Sequence, residues 1–168
     1  MEKDKQENGS NNYQMKHSAK FETTFKTLIK NHYRRDIKSR EKFIALVENY
    51  LEKDLKDNPC SDCVSDPEPF PGNTAEQGFE FRKKRWARLP GLQGAARFGR
   101  LLFIVHKSKK IVCPLWIYTH AEFQEPKSRP PDKELAAEIN CIRQDIFSES
   151  ESEEWLAKEV SSVCCKGW

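Results

Sequence analysis

No stretch of this 168-residue chain approaches the roughly 18–20 apolar residues that cross a bilayer. That argues against a spanning helix. Its opening, MEKDKQENGSNNYQ, is charged and amide-rich and lacks the apolar core of a secretory signal. A cytoplasmic location and no membrane partner are therefore expected. Cysteine occurs six times, but a second spaced pair is missing. Cys60-x-x-Cys63 has metal-ligand spacing, whereas the adjacent Cys164 and Cys165 chelate awkwardly, so the expectation is no metal and no cofactor. A reducing compartment disfavours disulfides, and Cys113, inside an apolar run, reads as core.

Charge of one sign is scarce in two neighbouring segments. Residues 58–78 carry four prolines and four acids (Asp62, Asp66, Glu68, Glu76) and no basic residue. Residues 79–110 carry ten cations against the single acid Glu80, a net +9 where the whole chain carries +3. A basic segment of this density points to a phosphate-bearing partner. At 37% hydrophobic residues and a mean hydropathy of −0.83, the whole length cannot be packed. One domain at 18–147 is expected, between a disordered arm at 1–17 and an acidic tail at 148–168. The acidic, proline-rich segment 58–78 reads as a loop insertion.

Within the domain, a short extended piece is expected at 20–24 and a helix at 25–35, on the spacing of Phe25, Leu28 and Ile29. Ser39 then reads as the N-cap of an amphipathic helix marked by Phe43, Leu46, Val47, Tyr50, Leu51 and Leu55, stopped by Asn58-Pro59. Phe79 and Phe81 share one strand face, which leaves Glu80, Arg82 and Lys84 on the other. Residues 98–106 read as a central strand, and Lys107-Ser-Lys-Lys110 as a hairpin turn into 111–118. Pro114 predicts a bulge or an edge position there. Pro130-Pro131-Asp132 introduces a last helix at 132–147, with its stripe on Leu135, Ala136, Ile139, Ile142 and Ile146. The fold class expected is α+β: an N-terminal helical hairpin packed on a small antiparallel sheet, with a C-terminal helix.

The run LPGLQGAARFGRLLFIVHKSKKIVCPLWIYTHAEF carries a more specific signal. A basic strand, a Leu-Pro-Gly turn, Gly-Arg-Leu-Leu-Phe-Ile-Val, a second apolar strand and Ile-Tyr-Thr-His-Ala-Glu-Phe follow one another. This order resembles the RelE/ParE/HigB superfamily of bacterial toxin–antitoxin toxins, over about residues 20–140. The resemblance implies a RelE/ParE-like fold and, for many members, a ribosome-dependent endonuclease that cuts mRNA without a metal. The 2′-hydroxyl attacks the adjacent phosphate, cations stabilise the developing charge, and a proton shuttle serves the leaving oxygen.

By the same resemblance, Arg100 stands where family toxins grip phosphate at the start of the central strand. His120 stands just after the last strand as an acid–base candidate. Lys84 is a candidate base, and Arg82, Lys83, Arg85, Arg88, Arg97, Lys109 and Lys110 are RNA-binding candidates. Each of these has a plainer reading as a solvated cation, and His120 as a capping or packing histidine. Tyr118 reads either as a base-stacking group or proton donor, or as a core tyrosine. Trp86 reads as a stacking platform or as packing, and His106 as an exposed turn residue. The implied partners are a cognate antitoxin, the ribosome and mRNA. The chain departs from the family by its extensions at both ends and in the middle. Other members of that fold poison DNA gyrase without cutting RNA, so a non-enzymatic inhibitor or basic nucleic-acid-binding module stands as the alternative. A cysteine-based zinc module is the third reading.

Overall fold

The computed structural model describes residues 12–123 and 128–147. The acidic tail expected at 148–168 and the first eleven residues of the expected arm lie outside them. The arm's last residues do not fit a disordered segment. Gln14–Met15 forms strand β1, parallel to the start of the last strand, and Met15 packs on the core.

Helix α1 covers Ala19–His32, six residues earlier than its apolar spacing suggests. Ser18 caps it by accepting the Phe21 amide at 3.0 Å, and its hydroxyl donates to the Leu115 carbonyl at 3.3 Å. The extended piece expected at 20–24 is thus helical, started by the Ser18 cap, and the Thr23 and Thr24 hydroxyls bond back to the Ala19 and Phe21 carbonyls within it.

Helix α2, Ile37–Asn49, is capped by Asp36 rather than Ser39. Ser39 sits at the third helical position, giving its amide (3.1 Å) and its hydroxyl (2.6 Å) to the Asp36 carboxylate. The helix widens into a π-turn at Tyr50–Leu55, which keeps Tyr50, Leu51 and Leu55 all buried.

Beyond β2 (Asp66–Pro67), three long antiparallel strands follow: β3 (Phe79–Trp86), β4 (Gly99–His106) and β5 (Ile111–Thr119). A 3₁₀ turn, Gly94–Arg97, lies between β3 and β4. The sheet order is β1-β5-β4-β3-β2, mixed because β1 runs parallel to β5. The α+β class stands, with two short edge strands added to the antiparallel meander. Leu102 faces Trp116 while Phe103 faces Pro114, so Leu115 is the extra residue of a bulge next to the proline. The bulge turns Leu115 and Trp116, consecutive in sequence, toward the same side of the sheet.

The sheet is covered on both faces. Leu101, Phe103, Val105, Val112 and Ile117 pack on Phe21, Leu28, Phe43 and Val47 of the helical hairpin. Leu102, Ile104, Cys113 and Tyr118 pack on Leu135, Ile139, Ile142 and Ile146 of helix α3, residues 132–147. Each such fully buried large apolar side chain contributes roughly 1.5–3 kcal/mol relative to exposure. Among the described residues, no helix is long and apolar enough to cross a membrane.

The acidic segment 58–78 is fastened to this frame. Glu68 gives its amide to the Phe81 carbonyl at 2.9 Å, beside the β2–β3 ladder. Arg143 of α3 donates to the Thr74 carbonyl and pairs with Glu76 at 3.4 Å.

Candidate nucleic-acid interface

Strand alternation and register divide the basic segment among three places. At one end of the sheet Arg85, Arg100 and Tyr118 stand directly opposite one another across β3, β4 and β5, on the α3 face. Arg100 donates to the Gly99 carbonyl at 2.8 Å. Burial, and next the Arg85 charge, hold its guanidinium below the usual range. Phe98 lies just before β4. The Arg97 guanidinium carbon is 4.6 Å from its ring centre, that of Arg100 6.0 Å, and the His120 ring 6.2 Å, edge-on. The His120 amide donates to the Phe98 carbonyl at 2.9 Å, extending the β4–β5 pairing past the strand end. Arg88 is exposed in the connection that the Leu89 amide closes onto the Arg97 carbonyl at 2.7 Å.

Arg100 and His120, two of the three catalytic candidates, thus flank one aromatic ring. Arg85, Arg88 and Arg97 belong to the same end of the sheet. Among the described residues, no carboxylate forms an ion pair with Arg85, Arg88, Arg97 or Arg100. Tyr118 is fully buried, and among the described residues its hydroxyl has no hydrogen-bond partner. Burial and then the Glu68 charge raise its pKa, against the opposing pull of Arg100, Arg129 and Arg85. The tyrosine hydroxyl is therefore a donor surrounded mostly by cations.

The other candidates are elsewhere. Lys84 is on the opposite face, its ammonium 5.2 Å from the Tyr50 ring centre and 5.9 Å from that of Trp86. It does not join Arg100 and His120. The alternation that placed Lys84 with Glu80 and Arg82 already separated it from Arg85.

Arg82 is buried, giving its Nε to the Ser65 hydroxyl at 2.6 Å and an Nη to the Ser65 carbonyl at 2.7 Å. It also lies 3.4 Å from Glu80 and 3.9 Å from Asp62. Lys83 is buried against Glu68 at 3.1 Å. Neither presents a free cation to RNA: Glu68 of the acidic segment pairs with Lys83, while Arg82 is held by Ser65 of that segment and by Glu80 of its own strand. Lys109 and Lys110 sit in the hairpin turn at the far end of β4 and β5, and the Lys109 ammonium lies 5.3 Å from the Phe147 ring. At about 3.3 Å per residue, an eight-residue strand separates that turn from Arg100 by more than 20 Å.

Of the other residues, His106 differs from its sequence reading, whereas Trp86 takes its packing reading and Cys113 its core reading. His106 is buried and accepts the Lys109 amide, so it is a structural part of the turn. Trp86 is buried edge-on to Tyr50 at 5.4 Å, in its packing role. Cys113 is core. Burial, and next a hydrogen bond to Glu80, push the Cys60 thiol up to about 12, while Cys63 is exposed. Among the described residues no group of three or more His, Cys, Asp or Glu is arranged to hold a metal.

Sequence reasoning missed Arg129, which pairs with Glu68 (3.1 Å) and Asp132 (3.0 Å) and donates to the Pro69 carbonyl. No local pattern marked it. Phe98 was readable, as the aromatic within Arg97-Phe-Gly-Arg100. Compared with protein-family models, curated proteins and solved structures, the chain matches none.

Proposed function

We propose that this chain binds RNA phosphates at the strand-end cluster and acts as a cytoplasmic toxin of the RelE/ParE/HigB kind. In that reading a cognate antitoxin silences it and ribosome-bound mRNA is its substrate. One observation carries the reading. Lys83 is paired with Glu68 of the acidic segment and Arg82 is held by Ser65 and Glu80, but among the described residues Arg85, Arg88, Arg97 and Arg100 have no acidic partner, and Arg97 and Arg100 flank the Phe98 ring. Arginine forks suit two phosphate oxygens at once, and an adjacent aromatic suits a base. A helical hairpin on one sheet face and a helix on the other agree with the same family reading.

In the reaction, the 2′-oxygen forms a bond to phosphorus as the bond to the 5′-oxygen breaks. The 2′-hydroxyl gives its proton to solvent water, and the 5′-oxygen gains one as it leaves. Arg100 and Arg85 neutralise the charge on the five-coordinate phosphorus, and His120 supplies the proton to the leaving oxygen. Lys84, on the opposite face, takes no part.

That position of Lys84 favours the second reading. Without it, the described cluster holds cations and one histidine, a set sufficient for docking on nucleic acid or on gyrase without cleavage. Controlled expression in bacteria separates the two, with wild type beside an Arg100→Ala/His120→Ala variant and mRNA 5′ ends mapped. The nuclease predicts growth arrest and new cuts, both lost in the variant. Arrest without cuts assigns the non-enzymatic function. Neither arrest nor cuts from a folded wild-type chain refutes the toxin reading.

A further inference from the structure

A second cationic surface adjoins this cluster and lies outside the basic segment. A hollow of about 400 Å³ opens at the end of α1, between Lys30, His32, Arg34, Arg35 and Asp36. Lys30 belongs to the last helical turn, where a cation complements the helix dipole. Arg34 and Arg35 lie past the C-cap, Tyr33, and are exposed. Among the described residues no carboxylate forms an ion pair with Lys30, Arg34 or Arg35. Asp36, the one acid lining the hollow, is committed to Ser39 through both carboxylate oxygens.

Side-chain contacts join this turn to the connection between β3 and β4. The Tyr33 hydroxyl donates to the Pro90 carbonyl at 2.8 Å. Gly91, at φ +71°, lies so close to Ser39 that a Cβ built on it would fall 2.3 Å from the Ser39 hydroxyl. The same connection carries Arg88 and is closed by the bond from the Leu89 amide to the Arg97 carbonyl. The α1–α2 turn therefore meets the connection that carries Arg88 and Arg97 at the same end of the sheet as Arg100.

We propose that the turn between α1 and α2 is a second RNA-contacting surface, in which Arg34 and Arg35 hold nucleotides flanking the phosphate gripped by Arg85 and Arg100. The ligand class is then a single strand several nucleotides long, not an isolated dinucleotide. The proposal rests on the RNA-binding reading above.

The test is fluorescence anisotropy of labelled tri- and dodecaribonucleotides with the purified full chain, across a potassium chloride series. Each phosphate contact on a single strand contributes about 0.7 to the slope of log K against log salt. Wild type binds the dodecamer with the steeper slope. Arg34→Ala/Arg35→Ala lowers that slope by about 1.4, whereas Arg34→Lys/Arg35→Lys retains it. A dodecamer slope unchanged in the alanine variant overturns the proposal, as does an equal wild-type slope for the two lengths. Wild type that binds neither RNA overturns the Arg85–Arg100 reading as well. Loss of dodecamer slope only in Arg85→Ala/Arg100→Ala leaves the strand-end site standing and removes this one.

Discussion

Glu68 and Lys83 form an ion pair at 3.1 Å with both side chains about nine-tenths buried, tying the acidic segment to the basic strand. The same carboxylate accepts from Arg129, also about nine-tenths buried, at 3.1 Å. Removing it leaves Lys83 unpaired in a poorly solvated place, while Arg129 keeps Asp132 at 3.0 Å. Breaking one side of a buried pair costs about 3–5 kcal/mol. Glu68→Ala is expected to lower unfolding stability by that order. Urea denaturation measures it, and a loss under about 1 kcal/mol shows that water reaches the site and screens the pair.

His106 predicts a pH dependence. Its Nδ1 accepts the Lys109 amide at 3.2 Å and faces the Ser108 hydroxyl at 3.2 Å, a geometry that requires the neutral ring. Burial, and next the Lys109 charge, lower its pKa, with Glu76 opposing. The unfolded chain's histidine titrates near 6.5, so below that pH the unfolded state binds more protons than the folded one. The stability contribution is complete above about 6.5 and is lost as pH falls through the lower folded value. His32, lowered by burial, acts with the same sign. The urea midpoint is expected to fall on going from neutral to mildly acidic buffer, and less so in His106→Gln. Equal pH slopes in the two proteins would show that His106 is not the group responsible.

Gly91 joins two surfaces that the RNA reading treats as one. Its φ of +71° is left-handed, and an added Cβ would lie 2.3 Å from the Ser39 hydroxyl and 2.7 Å from its Cβ. Left-handed strain costs roughly 1–2 kcal/mol for a non-glycine residue, and forced overpacking about 1–3. Gly91→Ala is expected to cost about 2–4 kcal/mol. Gly94, at φ +63° with nothing within 4 Å of a built Cβ, is the internal control. Gly94→Ala incurs the conformational part alone, so urea midpoints should rank wild type, Gly94→Ala, then Gly91→Ala.

The legible parts of this fold were those set by local pattern. Helix α3 begins where Pro130-Pro131-Asp132 opens it and buries the Leu135, Ile139, Ile142 and Ile146 stripe that its spacing marks. Pro114 foretold the bulge at Leu115. Illegible were pairings between distant residues. Ser65 and Glu68 bury Arg82 and Lys83 from 15–17 positions away, and nothing in the basic strand announces it. The start of α1 is set by the Ser18 cap, ahead of the Phe25, Leu28 and Ile29 spacing that marked the helix. Lys84 is a different case. Alternation separated it from Arg85, and it entered the catalytic set only through the family resemblance.

Arg85 and Arg100 face each other across β3 and β4, and among the described residues no acid is paired to either. Like charges directly opposite in a sheet destabilise, by about 0.2–1 kcal/mol. Burial is the main cause of the depressed guanidinium of Arg100, and the Arg85 charge adds to it in the same direction. A chain shaped by stability alone gains from removing one of them; a chain shaped to meet a phosphate keeps both, because the ligand's charge relieves the conflict. Arg85→Gln is therefore expected to raise unfolding stability by about 0.2–1 kcal/mol. The same change weakens RNA binding and lowers the salt slope by about 0.7. Stability and binding must move in opposite directions. If Arg85→Gln destabilises the chain, the pair is structural, and the strand-end cluster loses its strongest claim to a ligand.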